Sequence, residues 1–182
     1  MDVALIGGSF NPPHVGHALA AHYVHATLPV DEVWLMPSFR HPFGKPLAAF
    51  HHRVAMCEAI AAEASGWLRV TQVEQEVGGG GRTIDTLLYL ARASSAPRFT
   101  LVLGSDILKD LPHWKDFDRI QALARVVVLN RAGFPSPEAV GPPLAQVSSS
   151  EIRSMLAAGQ LPESLVPRAV LAYARREKLY GL

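Results

Sequence analysis

Val3-Ala4-Leu5-Ile6-Gly7-Gly8-Ser9-Phe10-Asn11-Pro12-Pro13-His14-Val15-Gly16-His17 is the stretch on which the reading of this chain turns. Val3 to Ile6 is short, apolar and β-leaning, and Gly7-Gly8 ends it, which predicts a buried strand feeding a glycine turn. After Pro12-Pro13 a helical pattern runs from about Val15 to Leu28, with Leu19, Tyr23 and Ala26 expected on one face and Pro29 closing it. Strand, turn and helix make the first half of a βαβ unit.

Outward from this unit the same alternation continues. Glu32 to Met36 predicts a second strand stopped by Pro37, and the Pro-, Gly-, His- and Lys-containing run from Ser38 to Ala48 predicts a loop of functional length. A helix from Ala49 to Ala64 and a strand from Leu68 to Gln72 follow. Gly78 to Gly81 reads as a flexible connection, and Thr83 opens a helix from Ile84 to Ala93. Further strands are expected at Phe99–Leu103, Arg125–Leu129 and Ala145–Val147, with Phe134 to Pro143 as a surface excursion. Helices are expected from Ser148 and over Pro167–Lys178. Regular alternation of this kind predicts an α/β fold with a doubly wound parallel sheet covered on both faces, in a single domain. Ligands of such sheets bind beyond the carboxyl ends of the strands, where the turns after Ile6, Met36, Leu103, Leu129 and Val147 would converge.

Composition narrows the function classes. With 182 residues the chain suits one domain, and Lys+Arg 17 against Asp+Glu 16 leaves a net charge of +1, so neither a polybasic nucleic-acid coat nor an acidic tail is present. The apolar runs are too short to span a bilayer, and the first residues lack the pattern of a signal peptide. A single cysteine, Cys57, cannot make an internal disulfide, which points to the cytoplasm. No nucleic-acid or membrane partner is expected, and the sequence leaves a homo-oligomer open.

The candidate chemistry follows from residue types. Gly7 and Gly8 permit close approach of a ligand to the backbone, and the helix starting near Val15 aims free N–H groups and its positive dipole end at the same space, a site for phosphate. His14 and His17, three apart across Gly16, can both donate to one anion. The competing metal half-site lacks any Cys, Asp or Glu within five residues. Ser148-Ser149-Ser150-Glu151-Ile152-Arg153 is a hydroxyl-rich helix start with an arginine one turn inside; taken alone it reads first as an ordinary capped helix, and beside the upstream histidine motif as a receptor for a polyphosphate. In Gly104-Ser105-Asp106 a carboxylate at a strand end can accept from sugar hydroxyls. Trp114 offers a flat apolar face to an aromatic ring, with core packing as the competing reading.

Gly8-Ser9-Phe10-Asn11-Pro12-Pro13-His14-Val15-Gly16-His17 resembles the G-x-F-x-P-x-H-x-G-H signature of the nucleotidylyltransferase superfamily, in the G-G-T-F-D-P-x-H-x-G-H form of bacterial nicotinate mononucleotide adenylyltransferases. Ser9 stands where the family has Thr, and Asn11 where it has Asp. Val147-Ser148-Ser149-Ser150-Glu151-Ile152-Arg153 is similar to the family's I-S-S-T-x-I-R, and Gly104-Ser105-Asp106-Ile107-Leu108 with Pro112-His113-Trp114 downstream to its G-x-D-x-L and P-x-W. Looser matches are Thr83-Ile84-Asp85-Thr86-Leu87 to S-Y-T-x-x-T-L, where Gly81 and Arg82 replace Ser and Tyr, and Asn130-Arg131-Ala132-Gly133 to R-R-P-G. His41-Pro42-Phe43-Gly44-Lys45 occupies the place of P-P-H-K.

What the resemblance implies is a Rossmann-like fold over residues 1–182, the helical part from about 149 to 182 completing the phosphate site. It implies transfer of AMP from ATP to nicotinate mononucleotide, or to its nicotinamide counterpart, with release of pyrophosphate in NAD biosynthesis. His14, His17 and Arg153 would be catalytic. Gly8, Ser9, Phe10, Lys45, Gly104, Asp106, Arg131, Ser149 and Ser150 would bind ATP and its phosphates; Lys45 reads equally well as a solvated lysine. Thr83 and Trp114 would contact the pyridine nucleotide. Mg2+ would be held mainly by the substrate phosphates, with no dedicated protein metal site. Transfer to another phosphorylated acceptor such as phosphopantetheine, and a non-catalytic nucleotide-binding protein, are the alternatives. An NAD-binding dehydrogenase is disfavoured because the first turn lacks G-x-G-x-x-G.

Overall fold

In the computed structural model, which describes residues 1–40, 46–78, 80–92 and 96–182, six parallel strands form one sheet. They are β1 (Asp2–Gly8), β2 (Glu32–Pro37), β3 (Leu68–Val70), β4 (Arg98–Gly104), β5 (Ala124–Arg131) and β6 (Val140–Leu144). Their order is β3-β2-β1-β4-β5-β6, every pair parallel. This is the doubly wound Rossmann arrangement expected of the alternating pattern, and β1 lies at its switch point between β2 and β4.

Both faces are covered because neighbouring residues of β1 point to opposite sides. Ala4 and Ile6 pack with Val102, Val127 and Leu129 against Ala21 and Val24 of α1 (Val15–Thr27), Met56, Cys57 and Ile60 of α2 (Phe50–Ala61), Ile152 and Leu156 of α6 (Ser149–Ala157), and Val170 and Leu171 of α7 (Arg168–Arg176). Val3 and Leu5 pack with Phe99, Leu101 and Leu103 against Ile84 and Leu87 of α4 (Thr83–Leu90) and Ile120 of α5 (Phe117–Leu123). Each fully buried aliphatic side chain contributes roughly 1.5–3 kcal/mol.

Several expectations need correction. The buried face of α1 is formed by Ala21 and Val24; Leu19 and Ala26 are exposed and Tyr23 half-buried, so the expected stripe is rotated. The last strand is Val140–Leu144, inside the segment read as a surface excursion, and not Ala145–Val147. Pro142 and Pro143 argued against a strand, but β6 pairs on one side only, and an edge tolerates missing donors. Four short elements were not expected: α3 (Val73–Val77), the 3-10 segment Ser105–His113, α5 and the 3-10 turn Leu179–Gly181. The glycine run is structured at both ends. Gly78 closes α3 in the left-handed region, and a Cβ on Gly81 would come within 2.8 Å of the Arg40 carbonyl oxygen. Among the described residues no helix is long and apolar enough to cross a membrane.

Candidate active site

A cleft of about 780 Å3 opens at the carboxyl ends of β1, β4 and β5, the edge to which a parallel sheet directs its ligands. Gly7, Gly8, Ser9, His14 and His17 line one wall, Gly104 and Asp106 the floor, and Arg131, Ser148 to Ser150 and Arg153 the other wall.

His14 is the N-cap of α1, in an extended conformation, and only 4% exposed. Its backbone N–H donates to His17 Nδ1 at 3.2 Å, and the two rings stack with centroids 3.8 Å apart. Because Nδ1 of His17 accepts, the proton of its neutral ring sits on Nε2. Burial, with the Arg131 charge added, lowers His14 to about 4. Burial, then His14 and Arg131, holds His17 well below the usual imidazole range. Both rings are therefore neutral N–H donors near pH 7. No acidic residue occupies the first turn of α1, so its positive end is left for an anion. Gly16 suits this packing, since a Cβ there would lie 3.0 Å from His14 Nδ1 and crowd the imidazole.

On the opposite wall Ser148 caps α6, its hydroxyl accepting from the Glu151 N–H at 3.1 Å. Ser149 is turned to the histidine loop, donating to the Pro12 carbonyl at 2.8 Å, and Arg153 donates to the Asn11 carbonyl at 2.7 Å and to Ser150 Oγ at 3.3 Å. Arg131 spans the floor, paired with Asp106 at 3.1 Å and donating to the Val147 carbonyl at 2.9 Å. Gly104 makes room for that pair, because a Cβ would stand 2.9 Å from the Arg131 side chain. Among the described residues the other carboxylate oxygen of Asp106, which is buried, has no hydrogen-bond partner.

The structure thus brings His14, His17, Gly8, Ser9, Gly104, Asp106, Arg131, Ser149, Ser150 and Arg153 together. Phe10 stands behind them: it is fully buried, with its ring 4.7 Å from that of His17, so it supports the histidine and does not line the cleft. Thr83 and Trp114 are not on the cleft wall. Thr83 begins α4, and Trp114 packs beside Phe117 at the second core. Lys45 lies outside the described residues.

Two residues behind the site, Arg53 and Glu74, carried no recognisable signal in the sequence, and a third, Asn11, stands in the quoted motif without its partners being visible there. Arg53, 1% exposed, donates to the carbonyls of Ser9 at 2.8 Å and Ala48 at 2.9 Å. Glu74, also buried, accepts from the Phe39 N–H at 3.0 Å. Asn11, 2% exposed, accepts on Oδ1 from the Ala48 N–H at 3.1 Å and from the Tyr180 hydroxyl at 2.9 Å.

Comparison with known proteins agrees with this geometry. Residues 5–155 match the model of the Cytidylyltransferase-like family. The chain is 62% identical over its whole length, and 96% of the relative's, to a probable nicotinate-nucleotide adenylyltransferase of Myxococcus xanthus. It is 47% identical, over 98% of its length and 96% of the relative's, to one of Anaeromyxobacter dehalogenans. In fold it matches the Plasmodium falciparum nicotinic acid mononucleotide adenylyltransferase complexed with NaAD, with a TM-score of 0.83 at 21% identity, over 98% of this chain and 97% of that one. A histidine pair and a serine-arginine helix start facing one another over a Rossmann edge, with relatives this similar from end to end, place the chain in the Cytidylyltransferase-like family, among the nicotinate-nucleotide adenylyltransferases.

Proposed function

We infer that the protein transfers AMP from ATP to nicotinate mononucleotide and releases pyrophosphate. The observation that carries this reading is the direct bonding of two walls distant in sequence: Ser149 to Pro12 and Arg153 to Asn11, 137 and 142 residues apart. That bonding sets two phosphate-facing helix starts on either side of one cleft.

The phosphate oxygen of the mononucleotide forms the new bond to the α-phosphorus as the bond from that phosphorus to the bridging oxygen of pyrophosphate breaks. The attacking phosphate is already anionic, so no protein nucleophile is needed, and catalysis consists of positioning and charge stabilisation. His14 and His17 donate neutral N–H groups to α- and β-phosphate oxygens. Arg153, with Ser149 and Ser150, holds the departing pyrophosphate, so the part of the chain from about residue 149 onward completes the site. Arg131 adds positive charge from the floor. Mg2+ on the triphosphate would neutralise part of its charge. The unpartnered Asp106 oxygen suits a hydrated cation on the phosphates, which supply most of its ligands. Lys45, Thr83 and Trp114 are assigned to the substrates on the resemblance alone. Cys57 is buried, and burial raises its thiol, which suits an unpaired cysteine in a reducing cytoplasm.

The test is pyrophosphate release from MgATP with a panel of acceptors: nicotinate mononucleotide, nicotinamide mononucleotide, phosphopantetheine and glycerol phosphate. Release with nicotinate mononucleotide, well above the others, is expected. Preference for a non-pyridine acceptor overturns the assignment, and nucleotide binding with no release supports the non-catalytic alternative.

A further inference from the structure

We propose that Tyr180 is a positioning residue for adenylyl transfer, acting through Asn11 on Arg153; this rests on the role given to Arg153 above. Asn11 is a junction. Its side-chain oxygen takes two hydrogen bonds, from the Tyr180 hydroxyl at 2.9 Å and from the Ala48 N–H at 3.1 Å, while its main-chain oxygen receives the Arg153 guanidinium at 2.7 Å. The closing turn of the chain, the segment before α2 and the arginine of α6 therefore meet on one residue. That residue directly precedes the Pro12-Pro13-His14 corner from which α1 starts.

The turn that carries this contact is left-handed at two positions. Tyr180 has φ 60 and ψ 21, and Lys178 φ 52, left-handed conformations that a side chain disfavours and that persist only where the surroundings impose them. The ring of Tyr180 packs on the first core, so a phenylalanine would fill the same space. The hydroxyl is the part that packing does not account for. Burial raises its pKa, so it remains a donor at any working pH. Both partners of Asn11 Oδ1 are donors, so position 11 needs an acceptor and not a charge. An aspartate satisfies the same two donors, and a leucine satisfies neither.

The test compares Tyr180→Phe, Arg153→Met, the double variant, Asn11→Asp and Asn11→Leu in steady-state turnover with MgATP and nicotinate mononucleotide. Tyr180→Phe should lower kcat roughly fivefold, the share of one hydrogen bond, with both KM values within about twofold and little change in Tm. In the Arg153→Met background the same change should have no further effect. Asn11→Asp should keep turnover within about threefold of the parent, and Asn11→Leu should lose at least as much as Tyr180→Phe. Pyrophosphate binding by calorimetry provides a readout that needs no turnover, and affinity should fall by a similar factor in Tyr180→Phe. An unchanged kcat and pyrophosphate affinity, or an equal loss with and without Arg153, overturns the proposal, as does a loss that tracks the folded fraction. If no acceptor supports turnover in the parent protein, the functional reading fails, and the calorimetric comparison still decides whether Tyr180 acts on the anion site.

Discussion

His17 is the residue whose removal should be felt most in turnover and least in folding. Its Nε2–H is directed by a single backbone hydrogen bond from His14, and its ring rests on Phe10. Replacing it by alanine removes a donor to the phosphates, and kcat should drop on the order of 100-fold or more at near-unchanged Tm. His14 gives a different signal. Its ring takes up a proton near 6.5 in the unfolded chain but only at about 4 in the folded protein. As pH falls below 6.5 the unfolded chain therefore binds a proton that the folded one cannot, and stability should decline across the window from 6.5 to 4. Thermal melts over that range should show this decline, and His14→Asn should lessen it, leaving the share that the likewise depressed His17 contributes. The histidine pair was legible because its spacing across a glycine is a local pattern. Arg53 and Tyr180 were not, and Asn11 was legible only as a motif position, because each bonds to atoms far off in the sequence, and nothing in a buried arginine's neighbours announces which carbonyls it will meet.

At the scale of elements, the long pieces were readable and the short ones were not. β1, α1, β2, α2, β4 and β5 carry a full hydrophobic period or an apolar run bounded by breakers, and they were placed within a few residues. α3, at Val73–Val77, and α5, at Phe117–Leu123, are too short to show an amphipathic period, and the 3-10 segment contains Pro112, which reads as a loop signal. Strand β6 departs from the pattern because Pro142 and Pro143 signal a loop, and only a position at the sheet edge lets a strand hold them. α6 offers a direct check on what its serines do. Ser148 accepts from the Glu151 N–H, Ser150 accepts from Arg153 within the same helix, and Ser149 alone bonds across to the Pro12 carbonyl. Ser148→Ala should thus cost about 1 kcal/mol of stability by denaturant melt with only a modest change in kcat. Ser149→Ala should show the reverse balance.

For the whole molecule, one sheet divides two cores, and the alternation Val3/Leu5 against Ala4/Ile6 predicts that damage on either face is global. Leu101, 2% exposed in the second core, does not line the cleft. Its replacement by alanine should cost about 3 kcal/mol and lower Tm by roughly 10 °C, while leaving KM for both substrates in place at temperatures where the protein is folded. Comparing that variant with His17→Ala separates loss of fold from loss of chemistry. The two prolines of β6 have a consequence for the protein in concentrated solution. An outer strand normally presents a row of N–H groups on which another chain can grow, and successive residues of a strand aim theirs to opposite sides. With Pro142 and Pro143 adjacent in Val140–Leu144, one missing donor falls on each side, so the outward rim is interrupted where a foreign strand would have to register. The opposite rim, β3, is only three residues long. A sheet so rich in apolar strands is in this way denied a template at either end for stacking into fibres.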